Sequence, residues 1–152
     1  ASYRNPGVFP GRKQLGPGGF VPRLLARAEL IIAVANKTAD DVKELFGVPA
    51  SRINVVPHGV SHVFRPMSRE DLDIARVRLQ LPERFILFVG TIEPRKNLTT
   101  LLEAWAMMRD RPDLVIVGDW GWNYEPIKER LGRLGPGVHH AEGLDPAELP
   151  AV

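Results

Sequence analysis

Arg95 and Lys96 stand side by side in "FVGTIEPRKNL", residues 88–98, where an apolar run hands over to a helix-like pattern. Two adjacent cations at such a junction suit an anion. Arg95 offers a planar fork for phosphate oxygens, and Lys96 a compact point charge. Gly90 ends the apolar run and, lacking a Cβ, lets a ligand come close to the backbone. Pro94 stiffens the loop. Asn97 is a candidate cap for a helix whose free N–H groups and dipole favour negative charge. A diphosphate would match all of these groups together. The same two side chains could also be solvated loop cations, and the residues alone leave both readings open. The stretch is neither a P-loop, GxxxxGK[ST], nor a G-x-G-x-x-G fingerprint. Glu93 would repel a diphosphate, so a structural or Arg-pairing role is expected for it.

Other chemistry-bearing residues are sparser. His58 in "VVPHGV" could be a base or a ligand, or could only shape a turn. His139 and His140 are neighbours on an expected strand, so they point to opposite faces and do not suit a joint metal site. Asp119 has no second carboxylate beside it. No metal site is expected. Trp120 and Trp122 in "WGW" could stack on a base or sugar, or serve packing.

The elements that position these residues follow from the apolar spacing. Leu30 to Ala35 reads as one buried parallel strand. "NKTADDVKELFGV" follows with Val42, Leu45 and Phe46 at helical spacing, Asn36 and Thr38 as cap candidates and Gly47 as the stop. "RINVVPHGV" reads as a second strand ended by Pro57 and Gly59, which makes a β-α-β unit. Residues 57–68, "PHGVSHVFRPMS", break the pattern and are expected to form a hinge. "REDLDIARVRLQL" is helical by charge and apolar spacing. "RFILFVG" is the strongest strand. In "NLTTLLEAWAMMRD", Leu98, Leu101, Leu102, Trp105 and Met108 recur at three and four. "DLVIVG" is a further buried strand, "YEPIKERLGRLG" a helix and "VHHAEG" a short strand. Two β-α units around a hinge imply parts of two α/β domains. Ligands in such sheets sit beyond the carboxyl ends of the strands. Gly90–Asn97, Gly118–Trp122 and the segment from Gly143 all fall there.

Bulk properties narrow the classes. The chain has 152 residues, room for one ordinary domain or two partial ones. No apolar run is long enough to span a bilayer, and no secretory signal pattern opens the chain. Cysteine is absent, which excludes disulfides and thiolate metal sites. The formal charge is only +2 although the pI is about 9.2, so nucleic acid is not an expected partner. The first twenty residues carry many Gly and Pro and read as loop. Asp145 and Pro146 open a helix that stops after one turn, which suggests a truncated chain.

The runs "RAELIIAVANKTADDVKELFGVPASRINVVPHGVSHVFRP", "FILFVGTIEPRKNLTTLLEAWA" and "DLVIVGDWGW" together resemble the middle of a family 4 glycosyltransferase, nearest the mannosyltransferase-type members with the GT-B fold. The likeness runs from about Phe20 to the end of the chain. It implies Rossmann-like parallel sheets, incomplete, with parts of two domains. Residues 1–60 would end the N-terminal, acceptor-side domain. Residues 61–83 would be a linker and lead-in helix. Residues 84–152 would be the first half of the C-terminal domain that binds the nucleotide sugar.

The resemblance also implies roles. Donor-diphosphate binding carries over onto Gly90, Thr91, Arg95 and Lys96. Many similar proteins have Arg directly after the glycine; Thr91 stands there here, and Arg95 would supply the charge. Gly143 and Leu144 map onto the loop on the nucleobase side. His58 and Gly59 map onto the domain crossover, His58 in place of the usual Asn. The implied reaction is retaining transfer of mannose or a similar hexose, from a GDP- or UDP-linked donor to a glycan or lipid-linked acceptor. No cofactor is implied, because basic residues and helix dipoles offset the leaving diphosphate. A cytoplasmic location is implied, with peripheral contact at the inner face of the membrane. The family's pair of glutamates eight positions apart has no counterpart here, so no catalytic residue is expected within this segment. The alternatives are a non-catalytic nucleotide- or anion-binding α/β module and, from the pI, a nucleic-acid-binding domain.

Overall fold

The computed structural model describes residues 19–152. The chain divides into two compact units between Ser61 and His62.

In the first unit, helix α1 (Phe20–Arg27) leads to strand β1 (Ile31–Ala33), helix α2 (Asn36–Phe46), one 3₁₀ turn (Ala50–Arg52) and strand β2 (Ile53–Val55). The two strands pair in parallel, Ile31 opposite Ile53 and Ala33 opposite Val55. The pairing strand is shorter than the apolar run, because Ala35 is already the N-cap of α2. Ala39 N–H donates to the Ala35 carbonyl, so Asn36 and Thr38 fall inside the first turn and neither caps it. Gly47 ends α2 in the left-handed region, φ 65°, a conformation that costs glycine little. Helix α1 has no counterpart among the expected elements. Its C-terminal end is held by Arg52, whose guanidinium donates to the carbonyls of Leu25 and Ala28, where a cation complements the helix dipole. The first eighteen residues, read as loop, lie outside the described residues.

The second unit begins with helix α3 (Arg69–Arg78). Ser68 caps it by accepting the Asp71 N–H at 3.1 Å. Then come strand β3 (Phe85–Val89), a 3₁₀ turn (Pro94–Lys96), helix α4 (Leu98–Ala106), strand β4 (Asp113–Val117), helix α5 (Glu125–Arg133) and strand β5 (Val138–Ala141). The strands form a separate, fully parallel sheet in the order β3-β4-β5, with Phe85 opposite Asp113 and Leu114 opposite Val138. The central strand is buried on both faces; Leu114 and Ile116 are fully covered. Against them pack Leu98, Leu102 and Trp105 of α4, Ile127 of α5 and Ile92 of the loop after β3. The Trp105 indole N–H donates to the Pro112 carbonyl at 2.7 Å, so burial leaves no polar orphan. Met108, assigned to this face by spacing, is exposed: α4 ends at Ala106, with Met107 as its C-cap. Asp145 starts no α-helix. Its carboxylate accepts the Ala147 N–H at 2.8 Å in a turn that runs into a 3₁₀ segment (Leu149–Ala151). Among the described residues no helix is long and apolar enough to cross a membrane.

Candidate functional site

Strands β3 and β4 both end in Val-Gly. The parallel ladder extends one residue past each, with Gly90 N–H donating to Val117 and Gly118 N–H to Ala141. Gly90 and Gly118 hold φ of 148° and 151°, where only glycine sits without strain. A Cβ on Gly118 would lie 2.2 Å from the Gly90 carbonyl oxygen, so the two backbones touch at a point that admits no side chain. Gly121 is similarly close, with a Cβ there falling 2.8 Å from Thr91 Cγ2. Ile92 N–H donates to the Asp119 carbonyl and Gly121 N–H to the Ile92 carbonyl, both at 2.9 Å. The loop after β3 is therefore laced to the loop after β4, and Ile92 anchors it in the core.

On this base stands the charged turn. Glu93 is buried, 6 % exposed, and its carboxylate takes the Arg95 guanidinium. The 3₁₀ turn closes through Lys96 N–H to the Glu93 carbonyl at 3.0 Å and brings the Lys96 side chain back over Gly90. Its Nζ lies 3.8 Å from where a Gly90 Cβ would be. Among the described residues no carboxylate pairs with this ammonium. Asn97 occupies the N-cap position of α4 but with φ 52°, and its Oδ1 accepts the Thr100 hydroxyl rather than a backbone N–H. The expected cap is thus replaced by a left-handed turn, which an Asn tolerates.

A third loop completes the group. Gly143 N–H donates to Asp119 Oδ1 at 2.8 Å. A cleft of about 160 Å³ lies beyond the carboxyl ends of the strands, lined by Val89, Gly90, Thr91, Gly118, Asp119 and Leu144 among others. Of the residues singled out from sequence, Gly90, Thr91 and Leu144 meet in its wall. Lys96 stands beside it against Gly90, and Gly143 is one residue from it. Arg95 is not in the wall and is held by Glu93. His58 and Gly59 belong to the other unit, exposed in the irregular chain after β2. Trp120 is committed to packing, with its ring 5.0 Å from Tyr124 and 4.6 Å from His140. His139 and His140 engage different partners, the Asp113 carboxylate at 2.7 Å and the Gly118 carbonyl at 2.8 Å. Among the described residues no three metal-ligating side chains cluster.

Sequence reasoning did not assign Gly118, Gly121 and Asp119 their part in this geometry. The signal was present: two buried parallel strands that each end in Val-Gly bring those glycines together when the strands pair in register.

Residues 70–151 match the family described as glycosyl transferases group 1, and residues 10–64 match glycosyltransferase family 4. The first match takes in more than half of the chain. The chain belongs to the glycosyl transferases group 1 family. This glycosyltransferase segment is 32 % identical over 114 residues to the O-antigen chain mannosyltransferase B of Escherichia coli, covering 72 % of this chain and 30 % of that protein. It is 38 % identical over 91 residues to the D-inositol 3-phosphate glycosyltransferase of Thermobispora bispora, covering 57 % and 21 %. Among solved structures it is similar to Anabaena HepE in complex with UDP-glucose, with a TM-score of 0.72 at 20 % identity over 91 % of this chain and 41 % of that one. It is also similar to WaaG, a glycosyltransferase involved in lipopolysaccharide biosynthesis, with a TM-score of 0.59 at 23 % identity, covering 78 % of this chain and 34 % of that one. The fold is accordingly α/β with parallel sheets of the GT-B type, incomplete in this segment. The glycosyltransferase segment spans less than a third of the length of either curated relative named here.

Proposed function

We propose that the protein containing this chain moves mannose or a similar hexose from a nucleoside-diphosphate donor, GDP- or UDP-linked, to a glycan or lipid-linked acceptor with retention of configuration. The observation that carries the reading is the Lys96 ammonium poised over Gly90, beside a cleft at the carboxyl ends of β3 and β4 and with no acidic partner among the described residues. The likeness to a protein named as a mannosyltransferase supports the hexose, and that to HepE solved with UDP-glucose supports the donor class.

On this reading the donor diphosphate lies across Gly90 and Thr91, where no Cβ at residue 90 holds it off. Lys96 neutralises charge that grows on the diphosphate as the sugar–oxygen bond breaks. A fixed cation contributes most there, because it needs no reorganisation during the reaction. Arg95, steadied by Glu93, adds positive potential to the same turn. Gly143 and Leu144 face the nucleobase side, and His58 and Gly59 shape the crossover between domains. The groups that act on the sugar and acceptor lie outside this segment. A cytoplasmic setting with peripheral contact at the inner membrane face accompanies such an acceptor.

The test is calorimetry on the full-length protein with and without Lys96→Ala. One charge-assisted phosphate contact is worth roughly 1.5–3 kcal/mol. Nucleoside diphosphate should therefore bind about tenfold more weakly or worse, and the uncharged nucleoside as before. An unchanged diphosphate affinity would return Lys96 to the status of a surface cation. Equal losses for both ligands would mean a disrupted loop instead. Donor binding without sugar transfer would leave a nucleotide-binding module, and the anomeric configuration of the product, read by NMR, decides retention.

A further inference from the structure

Asp119 makes two bonds that point in different directions. Its backbone carbonyl accepts the Ile92 N–H at 2.9 Å, which fastens the loop after β3. Its side-chain Oδ1 accepts the Gly143 N–H at 2.8 Å, which fastens the loop after β5. The residue itself lines the cleft between Thr91 and Leu144. The two attachments differ in kind. Ile92 is fully buried and its loop is also held by Gly121, so that side of the cleft is fixed by the core. The Gly143 side has an exposed turn with φ 66°, and the Asp119 carboxylate is the side chain that ties it to the sheet end.

We propose that Asp119 is a positioning residue: its carboxylate holds the Gly143–Leu144 loop at a fixed distance from the loop after β3 and so pre-shapes the nucleoside side of the donor cleft. This rests on the donor-site reading above. Asp119 acts through Gly143 and touches no reacting atom. Pre-organisation then predicts which part of the ligand feels its loss. A released loop weakens every ligand that carries the nucleoside, whereas loss of Lys96 weakens only those that carry phosphate.

The experiment uses the full-length protein as wild type, Asp119→Ala and Asp119→Asn, with guanosine, uridine and their diphosphates as calorimetric probes. Amide hydrogen exchange at Gly143 in the unliganded protein supplies a readout that needs no ligand. Asp119→Ala should speed Gly143 exchange and weaken binding of the free nucleoside by about three- to tenfold, and that of the diphosphate by less, because the variant also removes a negative charge beside the phosphates. Asp119→Asn keeps an amide oxygen that can accept the Gly143 N–H, so it should restore both the protection and the nucleoside affinity. Unchanged Gly143 exchange in Asp119→Ala overturns the tether. Unchanged nucleoside affinity in that variant, with the wild type binding normally, overturns the positioning role alone. An Asn variant as poor as the Ala variant also overturns it, because the charge and not the tether would then matter. A wild type that binds none of these probes overturns the donor-site reading on which the proposal rests.

Discussion

The two parallel sheets are made from the same β-α-β grammar but bury very different amounts. In β1 the central Ile32 is 65 % exposed, and in β4 the central Val115 is 1 % exposed. Strand number accounts for much of this. Among the described residues the first sheet has two strands, each with one paired neighbour; in the sheet of three, β4 has a paired neighbour on each side and helices to pack against. Side-chain size adds to it. Among the described residues the first unit buries Ala33, Ala39 and Val48, whereas the second buries Trp105 and a cluster of Leu and Ile. The candidate site stands on the well-packed unit, which is where a loop can be held to the fraction of an ångström that the proposed phosphate contact needs.

The largest expected effect tests that contrast directly. Trp105→Ala removes the largest fully buried side chain and should destabilise the second unit by about 3–5 kcal/mol. Ile32→Ala should cost under about 1 kcal/mol, because most of that side chain is already in water. All three tryptophans lie in the second unit, so indole fluorescence is blind to Ile32, and amide hydrogen exchange in urea, which reads each unit separately, checks the pair. Similar losses in the two variants would erase the distinction between the units.

The next effect concerns backbone fit at the site. Gly118→Ala drives a Cβ into the Gly90 carbonyl at a φ that L-residues avoid, and should cost roughly 2–4 kcal/mol. Gly132, inside α5, meets nothing within 4 Å. There the same substitution should stabilise the protein by up to about 1 kcal/mol, since alanine favours the helix. Opposite signs for two Gly→Ala changes in one unit, read as shifts in urea midpoint, are the expected outcome.

What was legible in the sequence follows the same divide. Strands β3 and β4 were plain because buried parallel strands need unbroken apolar runs, and "FILFV" and "DLVIV" have little other use. Helix α4 was plain because Leu98, Leu102 and Trp105 repeat on one face, although the repeat does not say where the helix ends, and Met108 fell outside. Helix α1 was missed because Gly and Pro precede it and Pro22 sits within it, and its tie to Arg52 spans a distance in sequence that no local pattern covers. At the site, the cations and Gly90 were visible as residue types. The Asp119–Gly143 tether was not, because it depends on the register of two strands separated by a helix. The pairing of Glu93 with Arg95 could be argued from charge alone.

A smaller effect separates helices that are capped from those that are not. Ser68 accepts the Asp71 N–H and its hydroxyl donates back to Asp71 Oδ2 at 2.6 Å, a local pair readable as Ser-x-x-Asp. Ser68→Ala should destabilise the second unit by about 1 kcal/mol. Asn36→Ala, in the first turn of α2 and without a capping bond, should change stability by only a few tenths of that, if at all. Amide exchange in the first turns of α3 and α2 distinguishes the two, and equal responses would mean that the Ser68 cap contributes nothing.

The smallest effect lies on the first unit, where surface charge does what little the core leaves undone. Asp40 and Lys43 pair on α2 at 2.6 Å. The Lys43 hydrogen bond, and secondarily its charge, lowers the Asp40 pKa below the ordinary 3.8. A carboxyl whose pKa is depressed by folding stabilises the fold at neutral pH, above its unfolded value. That contribution disappears as pH falls through the lower, folded value. The Asp40 side chain is about half exposed, so the effect is small and salt should shrink it. Carboxyl NMR titration should place Asp40 below the ordinary aspartate range in low salt and closer to it near about 1 M salt. Lys43→Met should return it to the ordinary range in either, and the tryptophan-detected midpoint of the second unit should not move. An Asp40 that titrates normally in low salt would remove this pair from the account of α2. A shift in the second unit's midpoint on Lys43→Met would show that the stabilities of the two units are coupled.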